Sequence, residues 1–205
     1  MRAPIVAWFD FASPYAYFAM DAAERLAAAH ERAIDWRPIL VWAALKAQAI
    51  PAPMEPPAKR AYFDADIARS AAFHGVPYRA PRKFPLSSHR AARLYYAVAE
   101  EDRSRAHALR RDLLCAYFAE DIDISETAAL TAIAVRHGMT DEAARAALEG
   151  EIGRRRLAEA IETAVAAGVC GSPWFVVDGE AFFGADRLPQ IAWRLSGAAP
   201  YGGNA

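Results

Sequence analysis

The chain has 205 residues, a formal net charge of −1 and 55% hydrophobic residues. A chain of this length buries most of its apolar surface in one domain, or in one domain with a large insertion, without disulfides or structural metals. The near-zero charge argues against a general nucleic-acid-binding face, which needs an excess of basic residues. The two cysteines, Cys115 and Cys170, are far apart in sequence, which argues against a disulfide framework, a thiolate zinc site or a dithiol motif.

The first residues, Met-Arg-Ala-Pro, lead directly into a strand-like segment and lack the features of a secretory signal peptide. No apolar run reaches the ~18 residues of a membrane span. We therefore expect a cytoplasmic protein without a membrane or nucleic-acid partner.

A strand, a helix and a second strand are predicted at the start of the chain. The apolar run 5–9 is typical of a buried strand. Ser13 is a favoured N-cap and Pro14 suits the first helical position, so we expect a helix over 14–29. Residues 33–40 are predicted to form the second strand. This βαβ order implies parallel pairing with a right-handed crossover.

The middle of the chain, from about Trp42 to Ala167, shows helical patterns separated by loops. The segments 50–57 and 75–87 are too rich in proline to be helical. Ser88, Ser125 and Thr140 are predicted to cap the helices that follow them. The predicted helices cover 58–73, 89–101, 104–119, 126–137, 141–148 and 151–167.

The last part of the chain returns to strands. Residues 174–177 and 181–183 are predicted strands, joined by Asp178-Gly179, a strong two-residue hairpin turn. A final helix is expected over about 187–195. The order βαβ, helical block, ββα predicts an α/β thioredoxin-like fold with a large all-helical insertion. The predicted domains are 1–41 with 168–205, and the inserted helical domain 42–167.

The first candidate site is Ser13-Pro14-Tyr15-Ala16, at the start of the first helix. In a thioredoxin arrangement this place carries C-x-x-C, where the helix N-terminus stabilises a thiolate. With both sulfurs absent, dithiol exchange is excluded here, but the site still suits an anion or a thiolate brought by a ligand. The alternative is that Ser13 is only a helix cap.

Two further candidate sites lie in the C-terminal part. In this fold the proline before the antiparallel strands is cis and exposes the backbone of the preceding residue, which predicts such a role for Ser172 and Pro173. Asp186 is expected to cap the last helix, where free N–H groups would hold a carboxylate. The alternative for Pro173 is an ordinary proline at the start of an edge strand, and the alternative for Asp186 is a helix cap with no ligand.

Lys59 begins the helix after the first proline-rich loop, and Tyr62 follows one turn later. The chain has only three lysines, which singles out Lys59 as a candidate, although most Lys-Arg pairs are simply solvated. Cys115 and Cys170 are interpreted as small apolar residues, with a minor alternative that Cys170 is reactive near the site.

Four segments together resemble the 2-hydroxychromene-2-carboxylate isomerases and the kappa-class glutathione transferases, which belong to the DsbA-like branch of the thioredoxin superfamily. They are FDFASPYAYFA (9–19), AKRAY (58–62), FPLSSHRAAR (84–93) and GSPWFVVDGEAFFGADRLPQ (171–190). The resemblance covers nearly the whole chain. It implies glutathione as cofactor or cosubstrate and a homodimer.

The resemblance also implies a role for each residue near the thiol of glutathione. Ser13 would be catalytic, donating a hydrogen bond to the glutathione sulfur. Ser172 would pair its backbone with the cysteinyl part, beside cis Pro173. A serine cannot form a disulfide, but its hydroxyl can favour a bound thiolate, which is the nucleophile.

The two ends of glutathione have implied partners as well. The Ala185 N–H and Asp186 would hold the γ-glutamyl end, and Lys59 would face the glycyl carboxylate. The chain departs from the family pattern in one respect, because the loop before the lysine helix lacks the usual Asn. The only Asn is Asn204, and Gln48 or the backbone would have to substitute.

The first reading of the function is therefore a glutathione-dependent isomerase of the hydroxychromene-carboxylate type, acting on a small aromatic keto acid by reversible thiolate addition. Phe11, Tyr15, Tyr62 and Trp174 would line an aromatic substrate pocket, although aromatic residues more often belong to a core. One alternative is a kappa-like glutathione transferase or peroxidase with an electrophilic substrate. The other is a non-catalytic thioredoxin-fold module that binds thiols or peptides.

Overall fold

A mixed four-stranded sheet, in the order β2-β1-β3-β4, organises the chain in the computed structural model, which describes residues 2–52, 54 and 57–199. β1 runs parallel to β2 and antiparallel to β3, and β4 is antiparallel to β3. The predicted parallel pairing of the first two strands and the predicted C-terminal hairpin are therefore confirmed. The strands are β1 (Ile5–Phe9), β2 (Ile34–Pro38), β3 (Trp174–Val177) and β4 (Glu180–Phe183).

The connections between the strands follow the predicted order. Helix α1 (Pro14–Ala29) joins β1 to β2 as the crossover of the βαβ unit. The β3–β4 hairpin turns at Asp178 and Gly179, whose φ angles of 50° and 87° are both positive. A type I′ turn requires positive φ at both positions, which is why an Asp-Gly pair stands there.

Helices fill the chain between β2 and β3. Their bounds lie within one or two residues of the predicted ones, except that the short helix α2 was not predicted separately. Part of the first proline-rich loop, at positions 53, 55 and 56, lies outside the described residues. The helices are α2 (Val41–Ala47), α3 (Pro57–His74), α4 (His89–Glu101), α5 (Arg103–Phe118), α6 (Thr127–Arg136), α7 (Asp141–Glu149) and α8 (Glu151–Ala166), and a 3₁₀ turn (Ala185–Arg187) with α9 (Leu188–Leu195) closes the fold.

The α/β thioredoxin-like fold with a helical insertion is thus observed. Within the described part of the chain, no helix combines the length and the apolar character needed to cross a bilayer. The division into domains 1–41 with 168–205 and 42–167 stays a prediction. The main hydrophobic core contains residues of both segments.

Only part of the predicted helix capping occurs. Thr140 caps α7 by accepting a hydrogen bond from the Ala143 N–H at 3.1 Å. Ser125 does not cap α6; its hydroxyl donates to the Asp123 carboxylate at 2.5 Å. Ser88 occupies the N-cap position of α4, but its hydroxyl makes no capping bond. It is used instead in the buried network described below.

Helix α4 closes the free edge of β2. The Tyr95 hydroxyl donates to the Trp36 carbonyl at 3.0 Å, and the Tyr96 hydroxyl donates to the Pro38 carbonyl at 2.9 Å. Unpaired carbonyls on an edge strand would otherwise face solvent or another strand. The two tyrosines therefore attach the helical insertion to the sheet.

A buried ion cluster joins α5 to α1. The side chain of Arg110 has no solvent exposure, pairs with Glu24 and stacks over the Trp36 ring, with its guanidinium carbon 4.2 Å from the ring centroid. Arg111 pairs with the same Glu24. Burial lowers the pKa of Arg110 to about 10, which still leaves the group charged at neutral pH.

Helix α8 packs closely against α4 at Gly153. A Cβ built on Gly153 would lie 2.5 Å from the Arg93 carbonyl oxygen. Helix propensity alone predicts that Gly153→Ala stabilises the protein by about 1 kcal/mol. We expect instead that the free energy of unfolding falls by about 1–2 kcal/mol in urea titrations, because the clash is with backbone.

The control is Ala158→Gly, at an exposed position of the same helix. It should cost about 0.5–1 kcal/mol through propensity alone. A more stable Gly153→Ala protein would show that α8 does not approach α4 as closely as described.

Candidate functional site

A buried carboxylate, Asp10, lies in the turn between β1 and α1 and is 1% exposed. Its Oδ1 accepts hydrogen bonds from the Ala12 N–H at 2.8 Å and the Ser88 hydroxyl at 2.5 Å. Its Oδ2 accepts from the Val41 N–H at 2.8 Å. The carboxylate therefore connects the start of α1, the start of α2 and the start of α4.

Burial raises the pKa of Asp10, and the three hydrogen bonds oppose this rise without cancelling it. The sequence pattern predicted no functional role for Asp10 and only a helix cap for Ser88. The one local signal was an acidic residue directly after a buried strand and three residues before a helix cap. Neither partner segment was recognisable from the sequence around Asp10.

Two serines that are 159 positions apart meet at the end of β1. The Ser13 hydroxyl donates to the Ser172 carbonyl at 3.0 Å and accepts from the Ala16 N–H at 3.3 Å, which confirms Ser13 as the N-cap of α1. The Ser172 hydroxyl accepts from the Asp10 N–H at 2.9 Å. Both segments are thus held by the same short turn, and Ser13 is 9% exposed.

The peptide bond between Ser172 and Pro173 is cis, as expected. The Pro173 carbonyl accepts a hydrogen bond from the Gly184 N–H at 2.9 Å. This bond places the 3₁₀ turn beside the cis-proline loop. The predicted second and third sites are therefore neighbours.

Asp186 is not the helix cap that the sequence indicated. Gly184, with a φ of 109°, precedes the 3₁₀ turn, and Asp186 lies inside the turn, since α9 begins only at Leu188. The Asp186 carboxylate is 69% exposed and pairs with Arg187 at 2.9 Å. Ala185 is buried, and the first N–H groups of the turn have no acceptor within it. A ligand could therefore contact both the exposed Asp186 carboxylate and these N–H groups.

An aromatic pair covers the loop before Pro173. The Phe183 ring stacks on Trp174 with 6.0 Å between centroids. A Cβ on Gly171 would lie 2.1 Å from the Phe183 ring, so only glycine permits this approach without moving the ring. Trp174 is half-buried and packs against a small core cluster around Trp8.

Phe11 does not line a pocket. Its side chain has no solvent exposure and packs edge-on against Phe9 and Tyr95, with centroid distances of 4.9 Å and 6.4 Å. The prediction that Phe11 contacts a substrate is therefore wrong. Since Asp10 is held in the turn by three bonds, the next side chain is directed into the core.

Helix α3 packs against the first turn of α1 through Tyr15. The Tyr15 hydroxyl donates to Asp66 at 2.6 Å, and its ring lies edge-on to Phe63. The hydrogen bond from Tyr15 and the contact with Arg69 lower the pKa of Asp66. Burial and the same bond raise the pKa of Tyr15, so it stays protonated. Tyr15 is therefore a docking residue as well as a potential pocket wall.

Lys59 and Tyr62 lie near the N-terminus of α3. Lys59 shares a helix face with Phe63 and Asp66, at spacings of four and seven residues, and this face meets α1. Among the residues described, Lys59 makes no ion pair. Tyr62 is 59% exposed. Both side chains remain available on the side of α3 that approaches the first turn of α1.

The cysteines are half-buried and separate, and both are free. Burial raises the pKa of the Cys115 thiol, against the opposing hydrogen bond of Tyr17. A thiol with a raised pKa is a poor nucleophile at neutral pH. Within the described ranges, no group of three or more His, Cys, Asp or Glu residues forms a potential metal site.

The arrangement brings Ser13, Ser172, cis Pro173 and Asp186 to one end of the sheet, at the N-terminus of α1. Unpartnered N–H groups and the helix dipole favour an anion there. At the position where a thioredoxin-like site carries its reactive thiol, this chain has the hydroxyl of Ser13. The site is therefore chemically suited to binding a thiolate, and not to supplying one.

A family model described as a DSBA-like thioredoxin domain matches residues 4–196. Glutathione S-transferase kappa 2 of Caenorhabditis elegans is 26% identical over 210 residues, which cover 96% of this chain and 92% of the relative. The structure of a 2-hydroxychromene-2-carboxylate isomerase superposes with a TM-score of 0.83 at 23% identity and covers 95% of each chain. The cytosolic disulfide reductase DsbM from Pseudomonas aeruginosa with GSH superposes with a TM-score of 0.64 at 15% identity, over 95% of this chain and 96% of that one.

Replacing Asp10 by Asn tests the buried network. The amide nitrogen of Asn is a donor, so one of the three donors at Ala12, Val41 and Ser88 would lose its acceptor. We expect Asp10→Asn to lower the free energy of unfolding by about 1–3 kcal/mol.

The pH dependence has a definite sign. Burial raises the pKa of Asp10 in the folded protein above the value of 3.8 that it has in the unfolded chain. Between these two pKa values, the folded protein holds the Asp10 proton and the unfolded chain has lost it. The free energy of unfolding of the wild type therefore falls as the pH rises through this range. Asn does not titrate, so the stability difference between wild type and Asp10→Asn should narrow over this range in urea unfolding at several pH values.

Asp121→Asn is the control, because the contacts of Arg82 lower the pKa of Asp121. The stability advantage of the wild type over that variant should grow as the pH rises. The same slope for both variants would contradict the burial of Asp10.

Proposed function

The chain belongs to the family of DSBA-like thioredoxin domains, and we propose that it is a glutathione-dependent cis-trans isomerase of the 2-hydroxychromene-2-carboxylate type. One observation carries the proposal. The Ser13 hydroxyl, at the N-terminus of α1, lies 3.0 Å from the backbone carbonyl that precedes cis Pro173. A thioredoxin-like site with a hydroxyl at the thiol position requires that the thiol come from a bound molecule.

Ser13 and Ser172 offer two complementary groups to a thiol-containing peptide. Without such a peptide, the Ser172 carbonyl accepts a hydrogen bond from the Ser13 hydroxyl. An N–H group of the peptide would take over this carbonyl, and the Ser13 hydroxyl would then turn to donate to the peptide's sulfur. The bond between the two serines thus keeps both groups paired until a ligand replaces it.

The remaining contacts suit the charged ends of glutathione. The exposed carboxylate of Asp186 would accept from the γ-glutamyl ammonium, and the N–H groups at Ala185 and Asp186 would bind its carboxylate. Lys59 would meet the glycyl carboxylate from the first turns of α3, the helix that packs against α1. The DsbM structure described with GSH supports this class of ligand for the fold.

When bound, glutathione supplies the thiolate nucleophile that adds reversibly to the conjugated double bond of an aromatic keto acid, which allows rotation before the thiolate leaves. Ser13 lowers the pKa of the bound thiol by donating to its charged form. Tyr15, Tyr62 and Trp174 would contact the flat aromatic substrate. Phe11 holds the turn from the core side and does not contact it.

A second function is favoured by the relative of highest identity described above. The kappa 2 glutathione transferase from C. elegans supports transfer of glutathione to an electrophile at the same site. The two activities differ in their product, since the isomerase regenerates free glutathione and the transferase consumes it. A homodimer and a cytoplasmic location remain proposals for either enzyme.

Ser13 variants separate a catalytic role from a capping role. Ser13→Ala should raise the pKa of bound glutathione, read as thiolate absorbance against pH. It should also lower kcat/KM about 10–100-fold, because a hydrogen bond to a charged group is worth about 1.5–3 kcal/mol. Ser13→Asp keeps a good cap but repels the thiolate, so it should be less active than Ser13→Ala.

Thr140→Ala is the matched control, since it removes the cap of α7 far from the site along the chain. It should cost about 0.5–2 kcal/mol of stability and leave activity unchanged. An active Ser13→Asp enzyme would reduce Ser13 to a structural cap. No calorimetric heat with millimolar glutathione would contradict both enzyme functions.

Lys59 tests the orientation of glutathione. We expect Lys59→Ala to weaken glutathione binding about 2–5-fold in calorimetry at low salt, as for an exposed ion pair, and the effect should shrink as salt is added. Lys46→Ala replaces another exposed lysine, on α2, and should change nothing.

Glutathione ethyl ester, in which the glycyl carboxylate is masked, distinguishes the end that Lys59 contacts. Wild type and Lys59→Ala should bind the ester equally well. An equal loss with glutathione and with its ester would mean that Lys59 does not meet the glycyl end.

A further inference from the structure

A second cleft, of about 330 Å³, lies at the free edge of β2, between that strand and helices α4, α5 and α8. None of the residues that form the Ser13 site lines it. Its floor includes Trp36 and Tyr95, and its walls carry Arg103, His107 and Arg156. The cleft therefore needs an explanation separate from the proposed function.

The carboxylates of this cleft are already paired. Asp35 accepts from Arg37 at 2.7 Å. Glu100 accepts from Arg156 at 2.8 Å, and Glu159 lies 3.3 Å from the same guanidinium. These pairs neutralise the acidic groups that line the cleft, so its free groups are not anionic.

The free side chains that line the cleft are hydrogen-bond donors, and both lie on one face of α5. Arg103 and His107 are four residues apart, and among the described residues neither makes an ion pair or a side-chain hydrogen bond. Arg110 follows on the same face, fully buried, with its guanidinium stacked on Trp36. One of its nitrogens pairs with Glu24, whereas Nε and Nη1 have no partner within the described structure.

The strand edge adds a backbone donor to this face. The Trp36 carbonyl points to the free edge of β2, where Tyr95 binds it. The N–H of the same residue points to the same side of the strand, and edge-strand N–H groups have no ladder partner. The floor of the cleft therefore presents a backbone N–H group as well.

We propose that this cleft binds a small oxyanion, a carboxylate or phosphate group, through Arg103, His107 and the Trp36 N–H. Arginine is a donor-only group whose planar fork matches both oxyanions. A cleft whose carboxylates are paired and whose arginine and histidine donors are free selects an acceptor-rich anion.

The charges around His107 agree with this assignment. Burial lowers the pKa of His107, and Arg110 and Arg103 lower it further, while Glu24 and Asp35 act in the opposite direction. An oxyanion beside Arg103 and His107 would compensate the repulsion between these two groups. It would also change the environment of the His107 ring, which gives a local readout.

The test uses NMR of the histidine ring protons at constant pH and ionic strength. Inorganic phosphate and acetate are titrated separately, with sodium chloride replacing them to keep the salt constant, and His107→Gln assigns the resonance. We expect a saturable shift of the His107 signals with one of the two anions or with both, and none for the half-buried His30. The anion that acts identifies the class of oxyanion.

Two arginine variants decide where binding occurs. Arg103→Gln, on the exposed first turn of α5, should weaken the apparent affinity at least about five-fold, as expected for loss of a charge-assisted bond. Arg25→Gln, an exposed arginine on α1 outside the cleft, should leave it unchanged. Arg103 lies at the surface, so its replacement should leave the melting temperature nearly unchanged and avoid the misfolding risk of replacing buried Arg110.

No saturable shift with either anion, or equal affinities for Arg103→Gln and Arg25→Gln, would overturn the proposal. A melting temperature that rises equally in all variants with phosphate would indicate a general salt effect and would also count against it. Loss of binding in Arg103→Gln alone supports the site whatever the activity at Ser13, so its outcome is independent of the glutathione experiments.

Discussion

The geometry of the candidate site depends on one buried carboxylate that accepts hydrogen bonds from three chain segments. Asp10 holds the Ala12 N–H in its own turn, the Val41 N–H at the start of α2 and the Ser88 hydroxyl at the start of α4. Its backbone N–H holds Ser172. A carboxylate can do this because it is only an acceptor and has room for several donors. The cost of burying it is offset only while all of these donors remain in place.

The same turn shows what a thioredoxin-like fold retains when the dithiol is absent. The N-terminus of α1 and the cis-proline loop form the anion-binding end of a thioredoxin-like sheet, whatever side chain stands at the cap. With a hydroxyl at Ser13, the site retains this electrostatic preference and loses the ability to form a disulfide. The isomerase structure that superposes with a TM-score of 0.83 shares this fold at 23% identity.

The two faces of the insertion serve different purposes. On one side, α3 packs against α1 through the hydrogen bond from Tyr15 to Asp66. On the other, α4 and α5 cover the edge of β2 with tyrosine hydroxyls and a buried arginine. Covering the edge prevents pairing with another strand, and it leaves the cleft that carries the unpaired donors Arg103 and His107.

The sequence by itself determined the secondary structure and the order of the elements, because hydrophobic period, caps and turn residues are local signals. It also located Ser13, Ser172 and Pro173, since each stands at a fixed place in that order. Only the tertiary structure decided that Asp10 joins segments 31, 78 and 162 residues away. It likewise directed Phe11 into the core and kept Asp186 from capping a helix. The physical reason is that burial and hydrogen-bond partners depend on which segments pack together, which no local pattern specifies.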